Sequence, residues 1–192
     1  PRWPRLKPLV ASLSIVTLVA LMLVTRGQIP YWQNSEALFR HALAVTKDNP
    51  WVHCLLADTL ADTGSFEEAE AQCREALRLK PGFPEVQILY ANVLARGKKY
   101  EEAIAVLSQV LQENPADPVA QYTLGSVLSQ KGDSSGAIAH YRRALDLKPA
   151  YGEARFHLAS LLAQQGDASG AANEYRQGLR WQPDDPDEPC SP

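Results

Sequence analysis

PWVHCLLADTLADTGSFEEAEAQCREALRLKPGF (residues 50–83) is followed without a break by PEVQILYANVLARGKKYEEAIAVLSQVLQENPAD (84–117), PVAQYTLGSVLSQKGDSSGAIAHYRRALDLKPAY (118–151) and GEARFHLASLLAQQGDASGAANEYRQGLRWQPDD (152–185). Each stretch has 34 residues, and the four superimpose column by column. Counting Pro50, Pro84, Pro118 and Gly152 as position one, position eight is small: Ala57, Ala91, Gly125 and Ala159. The residue before it is large: Leu56, Tyr90, Leu124 and Leu158. Position eleven is always leucine (Leu60, Leu94, Leu128, Leu162), and position twenty always alanine (Ala69, Ala103, Ala137, Ala171). Proline closes each unit at Pro81, Pro115, Pro149 and Pro183. A constant period with constant small, large and breaker positions marks a repeat array, in which each unit buries its face on its neighbours.

Within a unit the pattern predicts two helices. In the first unit helix A runs from Trp51 to Thr63 and helix B from Phe66 to Leu79. Gly64, Gly97, Gly132 and Gly166 fall in the A–B turn, where glycine tolerates positive φ. The closing proline ends helix B, because it cannot continue a helix. The small residue at position eight and the alanine at position twenty let the two helices approach closely. Phe66 and Tyr100 fill the hinge between them. Ser134 and Ala168 replace that aromatic, which predicts looser packing in the last two units. Residues 31–49 read as a half-unit, helix B alone. There Trp32, Ser35, Phe39 and Ala42 occupy the columns of Phe66, Ala69, Cys73 and Ala76, and Phe39, Ala42 and Leu43 share one helical face.

These columns resemble the tetratricopeptide repeat, a 34-residue helix–turn–helix. The resemblance implies an all-α, right-handed superhelix with units at 50–83, 84–117, 118–151 and 152–185. The aromatic usual at position four is replaced by His53, Gln87, Gln121 and Arg155. In this family helix A lines a concave groove that takes a protein or peptide. Carried over by column, position five contributes Cys54, Ile88, Tyr122 and Phe156. Position nine contributes Asp58, Asn92, Ser126 and Ser160, and position thirteen Asp62, Arg96, Gln130 and Gln164. The implied groove is acidic at its first unit, mixed in the second, and polar with two aromatics at its far end. Asn92 is placed to hold a peptide backbone by its amide, and Tyr122 and Phe156 to supply apolar contact. The lysines with which some members grip a C-terminal carboxylate are missing.

Upstream of the repeats, residues 1–8 are a basic flank with Arg2, Arg5 and Lys7. Residues 9–25, LVASLSIVTLVALMLVT, carry no charge. As a helix they span about 25 Å, against a hydrocarbon core of about 30 Å. Trp3 on one side and Tyr31 and Trp32 on the other suit the two interfaces. The reading is one transmembrane helix. A cleavable signal peptide and a buried helix compete with it, but no A-x-A-like site follows and the run is apolar on every side. The excess of positive charge before the run predicts repeats outside the cytoplasm, in periplasm or lumen. The chain opens on Pro1, and its only methionine, Met22, lies inside the apolar run. This suggests a piece of a longer protein. The closing residues 186–192 are acidic and proline-punctuated, and read as a disordered tail. Asn173, Arg176, Gln177 and Arg180 predict a polar outer face on the last helix.

Chemistry-bearing constellations are scarce. His41, His53, His140 and His157 form no metal-ligand spacing. The three cysteines suit neither a disulfide framework nor a zinc pattern, and Cys73 reads as a small buried apolar residue. Glu67, Glu68, Glu101 and Glu102 complement helix B N-termini. Asp58 and Asp62 lie one turn apart on a solvated face. With a net charge of −3 there is no basic face for nucleic acid. The sequence therefore points to no catalysis and no cofactor, but to a membrane-anchored module that docks a protein or peptide. Residues 9–50, with the YWQNSEALFRHAL junction, also resemble the last membrane helix and repeat junction of multi-pass O-mannosyltransferase-like glycosyltransferases. That resemblance implies acceptor presentation for a catalytic part lying upstream.

Overall fold

The computed structural model describes residues 34–46 and 48–180. The basic flank 1–8, the apolar run 9–25 and the tail 186–192 lie outside the described residues. Among the described residues every regular element is a helix: α1 (Ser35–Val45), α2 (Pro50–Asp62), α3 (Phe66–Leu79), α4 (Pro84–Arg96), α5 (Tyr100–Glu113), α6 (Pro118–Lys131), α7 (Ser134–Leu147), α8 (Gly152–Gln164) and α9 (Ala168–Arg180). None of them is long and apolar enough to cross a membrane. Each helix packs on the next, and the A helices also touch across units, α2 on α4 and α4 on α6. The result is a solenoid of helix pairs with α1 packed against its first full unit.

The helix boundaries follow from local chemistry. Proline stands at the first turn of α2, α4 and α6, where its missing N–H costs nothing. The Asn49 side chain accepts from the Trp51 and Val52 N–H groups, and Asp117 accepts from Val119 and Ala120. Each such cap satisfies donors that the helix itself leaves open. Every A helix ends in the same way. The backbone N–H of Ser65, Lys99, Asp133 and Asp167 reaches back to the carbonyl of Leu60, Leu94, Leu128 and Leu162 at 2.8–2.9 Å. The leucine column thus accepts the closing bond of each A helix as well as packing.

That bond needs a left-handed residue just before its donor. Gly64, Gly132 and Gly166 supply it at φ 85°, 97° and 87°. In the second unit the left-handed residue is Lys98 (φ 63°), not Gly97, whose φ is −76°. The expected role of Gly97 is therefore corrected: the period fixes the turn, and Lys98 stands in the column of Gly64.

Columns eight, twenty and twenty-four meet at the A–B contact, and their side chains are excluded from solvent throughout the first three units. Cys73 is fully buried there, and burial pushes its thiol up to about 12, so it stays protonated. The pair α6–α7 packs at least as closely as the earlier pairs, contrary to the looseness expected from Ser134. Gly125 explains this, since a Cβ there would lie 2.9 Å from the Tyr141 ring, which fills the space instead.

Position four, without its usual aromatic, makes polar bridges to helix B. His53 bonds Gln72 at 2.7 Å, Gln121 bonds His140 at 2.8 Å, and the Arg155 guanidinium donates to Glu174 at 2.8 Å. In the second unit Val106 stands where the others place a polar partner. There the Gln87 Oε1 is buried without a hydrogen-bond partner among the described residues.

Two stability effects follow. Lys98→Gly relieves a left-handed lysine on an exposed turn and stabilises by about 1 kcal/mol. Gln87→Leu removes a buried acceptor that has no donor, worth about 1 kcal/mol. Thermal unfolding followed by circular dichroism is expected to show each midpoint raised by about 2–4 °C. A midpoint lowered by Gln87→Leu would mean that this amide is bonded in solution.

Candidate binding groove

The A helices determine how far each predicted groove residue reaches into solvent. At position five, Cys54 is buried against Ala76 and Val86, and Ile88 is buried among Ala91, Leu94 and Leu124. Tyr122 and Phe156 at the same position are half-buried. Position nine is more open: Asp58 and Asn92 are exposed, Ser126 and Ser160 half-buried. Position thirteen is exposed in every unit, at Asp62, Arg96, Gln130 and Gln164. The columns therefore divide into a packed row beneath and a polar row above, on helices that adjoin one another.

The polar row is internally bonded. The Arg96 guanidinium donates from Nη2 to Asp62 Oδ1 at 2.8 Å and has Nη1 at 4.0 Å from Asp58 Oδ1. One cation on α4 thereby ties down two carboxylates on α2. All three side chains are solvent-exposed, so the pairing is weak and screened, and a ligand can exchange for it. In the third and fourth units the row is neutral. Gln130 Nε2 lies 3.4 Å from Ser126 Oγ, and Gln164 Nε2 lies 3.5 Å from Ser160 Oγ. Asn92 Nδ2 and Oδ1 stand between the charged and neutral stretches, on an exposed side chain.

Beneath this row lies an aromatic cluster that column reasoning did not assemble. Tyr122 sits 4.9 Å from Tyr151, and 5.8 Å from both Tyr141 and His157, by ring centroids. His157 stacks on Tyr141 at 5.8 Å, and Lys148 lies 4.8 Å over the Tyr151 ring. Burial pushes the Tyr141 and Tyr151 hydroxyls up to about 12, and Tyr122 upward as well. They stay neutral. At the far end Phe156 packs 6.0 Å from Tyr175 and lies over Gly178, where a Cβ would come within 3.3 Å of its ring. The signal that could have found this cluster is the pairing of Gly125 with a tyrosine at position twenty-four. Tyr151 and His157 stand in columns that hold a tyrosine or a histidine in no other unit, and leave no such trace.

A second apolar patch lies at the start of α2. Trp51 and Leu55, one turn apart, are each about half exposed, and the Trp51 ring meets Phe83 edge-on at 5.2 Å. Lys80 Nζ sits 3.6 Å over the Phe83 ring. Among the described residues no group of histidine, cysteine and carboxylate side chains could hold a metal ion.

Comparisons with known proteins address this architecture. MamA (residues 41 to the end) from Desulfovibrio magneticus RS-1 superimposes with a TM-score of 0.62 at 23% identity, over 83% of this chain and 92% of that one. YrrB, described as a TPR protein with an unusual peptide-binding site, superimposes with a TM-score of 0.56 at 17% identity, over 86% and 84%. The human IFIT1 dimer with PPP-AAAA gives a TM-score of 0.64 at 24% identity, over 73% of this chain and 35% of that one. At such identities the likeness is one of fold. No match was found among curated protein sequences. Nothing in these comparisons supports the glycosyltransferase resemblance of residues 9–50. The family model described as tetratricopeptide repeat matches residues 32–93, 63–128, 94–139 and 128–187, and the chain belongs to that family.

Proposed function

We propose that this chain is a scaffold that docks a protein or peptide segment along its A helices, over Asp58, Asp62, Asn92, Arg96, Ser126, Gln130, Ser160 and Gln164. The fold is consistent with protein–protein interaction. The observation that carries the reading is the exposure of position thirteen in all four units above a buried row. It leaves a polar strip along the array with nothing of this chain over it among the described residues. An extended peptide fits such a strip. The Asn92 amide offers one donor and one acceptor to a peptide backbone. Asp58 and Asp62 share a single cation, so the first-unit end of the strip keeps an excess negative charge and favours a basic residue. The half-buried edges of Tyr122 and Phe156 supply apolar contact further along.

The same reading places the array beside a membrane, held by residues 9–25, with the repeats on the extracytoplasmic side. The uncharged run and the excess of Arg2, Arg5 and Lys7 over Arg26 support it. Acceptor presentation beside a membrane glycosyltransferase is a special case of the same docking role. It rests on the resemblance of residues 9–50, the apolar run with the YWQNSEALFRHAL junction.

Peptides selected on the full chain from a random library are expected to carry a basic residue. They should bind Asn92→Ala/Arg96→Ala about tenfold or more weakly, with helical circular dichroism unchanged. Equal affinity for the variant would sink the groove assignment. For the anchor, membranes washed with alkaline carbonate should retain the full chain and lose it when residues 9–25 are deleted. Release of the full chain by carbonate would remove the anchor from the proposal.

A further inference from the structure

The seams between units are not filled alike. Position twenty-five of helix B faces the following unit and holds Arg74, Ser108, Arg142 and Arg176. At the first seam the Arg74 guanidinium lies 5.9 Å over the Tyr90 ring. The Glu70 carboxylate, buried there, takes bonds from Arg74 and Lys99 and closes the joint. At the third seam Ile138 and Leu145 are buried, and the Arg155 side chain, only 11% exposed, fills the following unit. The second seam has neither device. Ser108 stands in the arginine column and Leu124 in the column of Tyr90. Ile104 and Leu111, the counterparts of Ile138 and Leu145, remain half-buried.

The missing side chains leave a depression of about 480 Å³, open to solvent, between α5 and the α6–α7 pair. Its size falls in the ordinary range for ligand pockets, roughly 300–1,000 Å³. Its apolar walls are Ile104, Leu111, Leu124 and Leu128; Ser108, Gln112, Gln121 and His140 supply its polar side. These columns point away from the exposed row on the A helices, so this is not the groove described above.

The polar side has a defined sense. Gln121 Nε2 donates to the Pro115 carbonyl at 3.3 Å, which turns its Oε1 toward His140 Nδ1 at 2.8 Å. His140 must therefore carry its proton on Nδ1 and donate it to Gln121. Burial lowers the affinity of His140 for a second proton, so Nε2 is a lone-pair acceptor. No lining side chain bears a carboxylate, ammonium or guanidinium. A charged occupant would find no counter-charge here, whereas an uncharged ring exchanges its one hydroxyl–water bond for a bond to the acceptor.

We propose that this cavity receives a tyrosine side chain of a protein partner, its ring between Leu111, Leu124 and Leu128 and its hydroxyl donating to His140 Nε2. The neighbouring seam supports the choice of ring, because there the chain fills the equivalent space with its own Tyr90. Complementarity supports the hydroxyl, since the cavity offers an acceptor and no charge.

The test uses the full chain with labelled leucine methyls and N-acetyl-tyrosinamide as the probe, titrated into the millimolar range. Saturable shifts are expected at Leu111, Leu124 and Leu128 and at the His140 imidazole. N-acetyl-phenylalaninamide should bind about fivefold more weakly, for want of one net hydrogen bond. The double variant Ser108→Arg/Leu124→Tyr copies the first seam, and should keep its helical circular dichroism and lose probe binding. His140→Ala should erase the preference for tyrosine over phenylalanine while leaving the seam closed to no ring. Asn92→Ala/Arg96→Ala should bind the probe like the parent, which separates this site from the groove. The proposal is overturned by an absence of saturable shifts, by shifts centred on Tyr122 and Phe156 instead, or by undiminished binding in the double variant.

Discussion

The distance between helix A and helix B within each unit is the constraint on which the rest of this solenoid depends. Two helices can cross closely only where at least one contact residue is small. Position eight supplies that residue and position twenty supplies a second from the other side, at Ala57 with Ala69, Ala91 with Ala103 and Gly125 with Ala137. Position twenty-four then absorbs whatever volume is left. It is cysteine against Ala57, leucine against Ala91, and tyrosine against Gly125. In the third unit the two columns change in opposite directions, glycine for alanine and tyrosine for a smaller residue, and the packing stays closed because interiors tolerate volume-conserving exchange far better than a void or a clash. The fourth unit departs from this balance. Ala159 faces Tyr175, which is 40% exposed against 1% for Tyr141, and no fifth unit follows among the described residues.

Because the intra-unit distance is held, variation is displaced to the seams between units. Ion pairs bridge several of them: Arg40 of α1 with Glu68 of α3, Arg96 of α4 with Asp62 of α2, and Lys99, just before α5, with Glu70 of α3. These are local devices, each belonging to one seam and repeated at none. A solenoid permits this, since each unit touches only its neighbours and a change at one joint need not propagate. The first seam is closed by charge and a ring, the third by aliphatic side chains and Arg155. The second is left with a cavity. Shape along the array is thus set by the constant columns, and chemical individuality by the seams.

How much of this was legible depended on whether a feature repeats. The helix pairs and the buried small columns were readable because four copies average out individual residues. Even the turn was readable in principle. Gly97 misled because glycine's presence was weighed above its column, whereas the closing bond from Lys99 to Leu94 requires the left-handed residue at Lys98. The replacement of the position-four aromatic was visible, but its partner was not. His53–Gln72 and Gln121–His140 exchange residue types across the same gap, so neither column shows a consensus while the pair does. Tyr122, Tyr141, Tyr151 and His157 converge from three helices and a connecting turn, and no period relates them.

The proposed groove residues divide along the same line. Position thirteen was legible as a surface because exposure there is a property of the helix register, and Asp62, Arg96, Gln130 and Gln164 all share it. Position five carries no such guarantee. Whether its side chain reaches the surface depends on its size relative to the seam below. Cys54 and Ile88 disappear into the core, while Tyr122 and Phe156 are too large to be covered completely. Apolar contact along the strip is therefore confined to its second half, and charge to its first. Electrostatic attraction acts at longer range than ring contact, so a segment docking as proposed would meet Asp58, Asp62 and Arg96 first and settle onto Tyr122 and Phe156 afterwards. That order gives the strip a direction, which a uniform array of four equal units would lack.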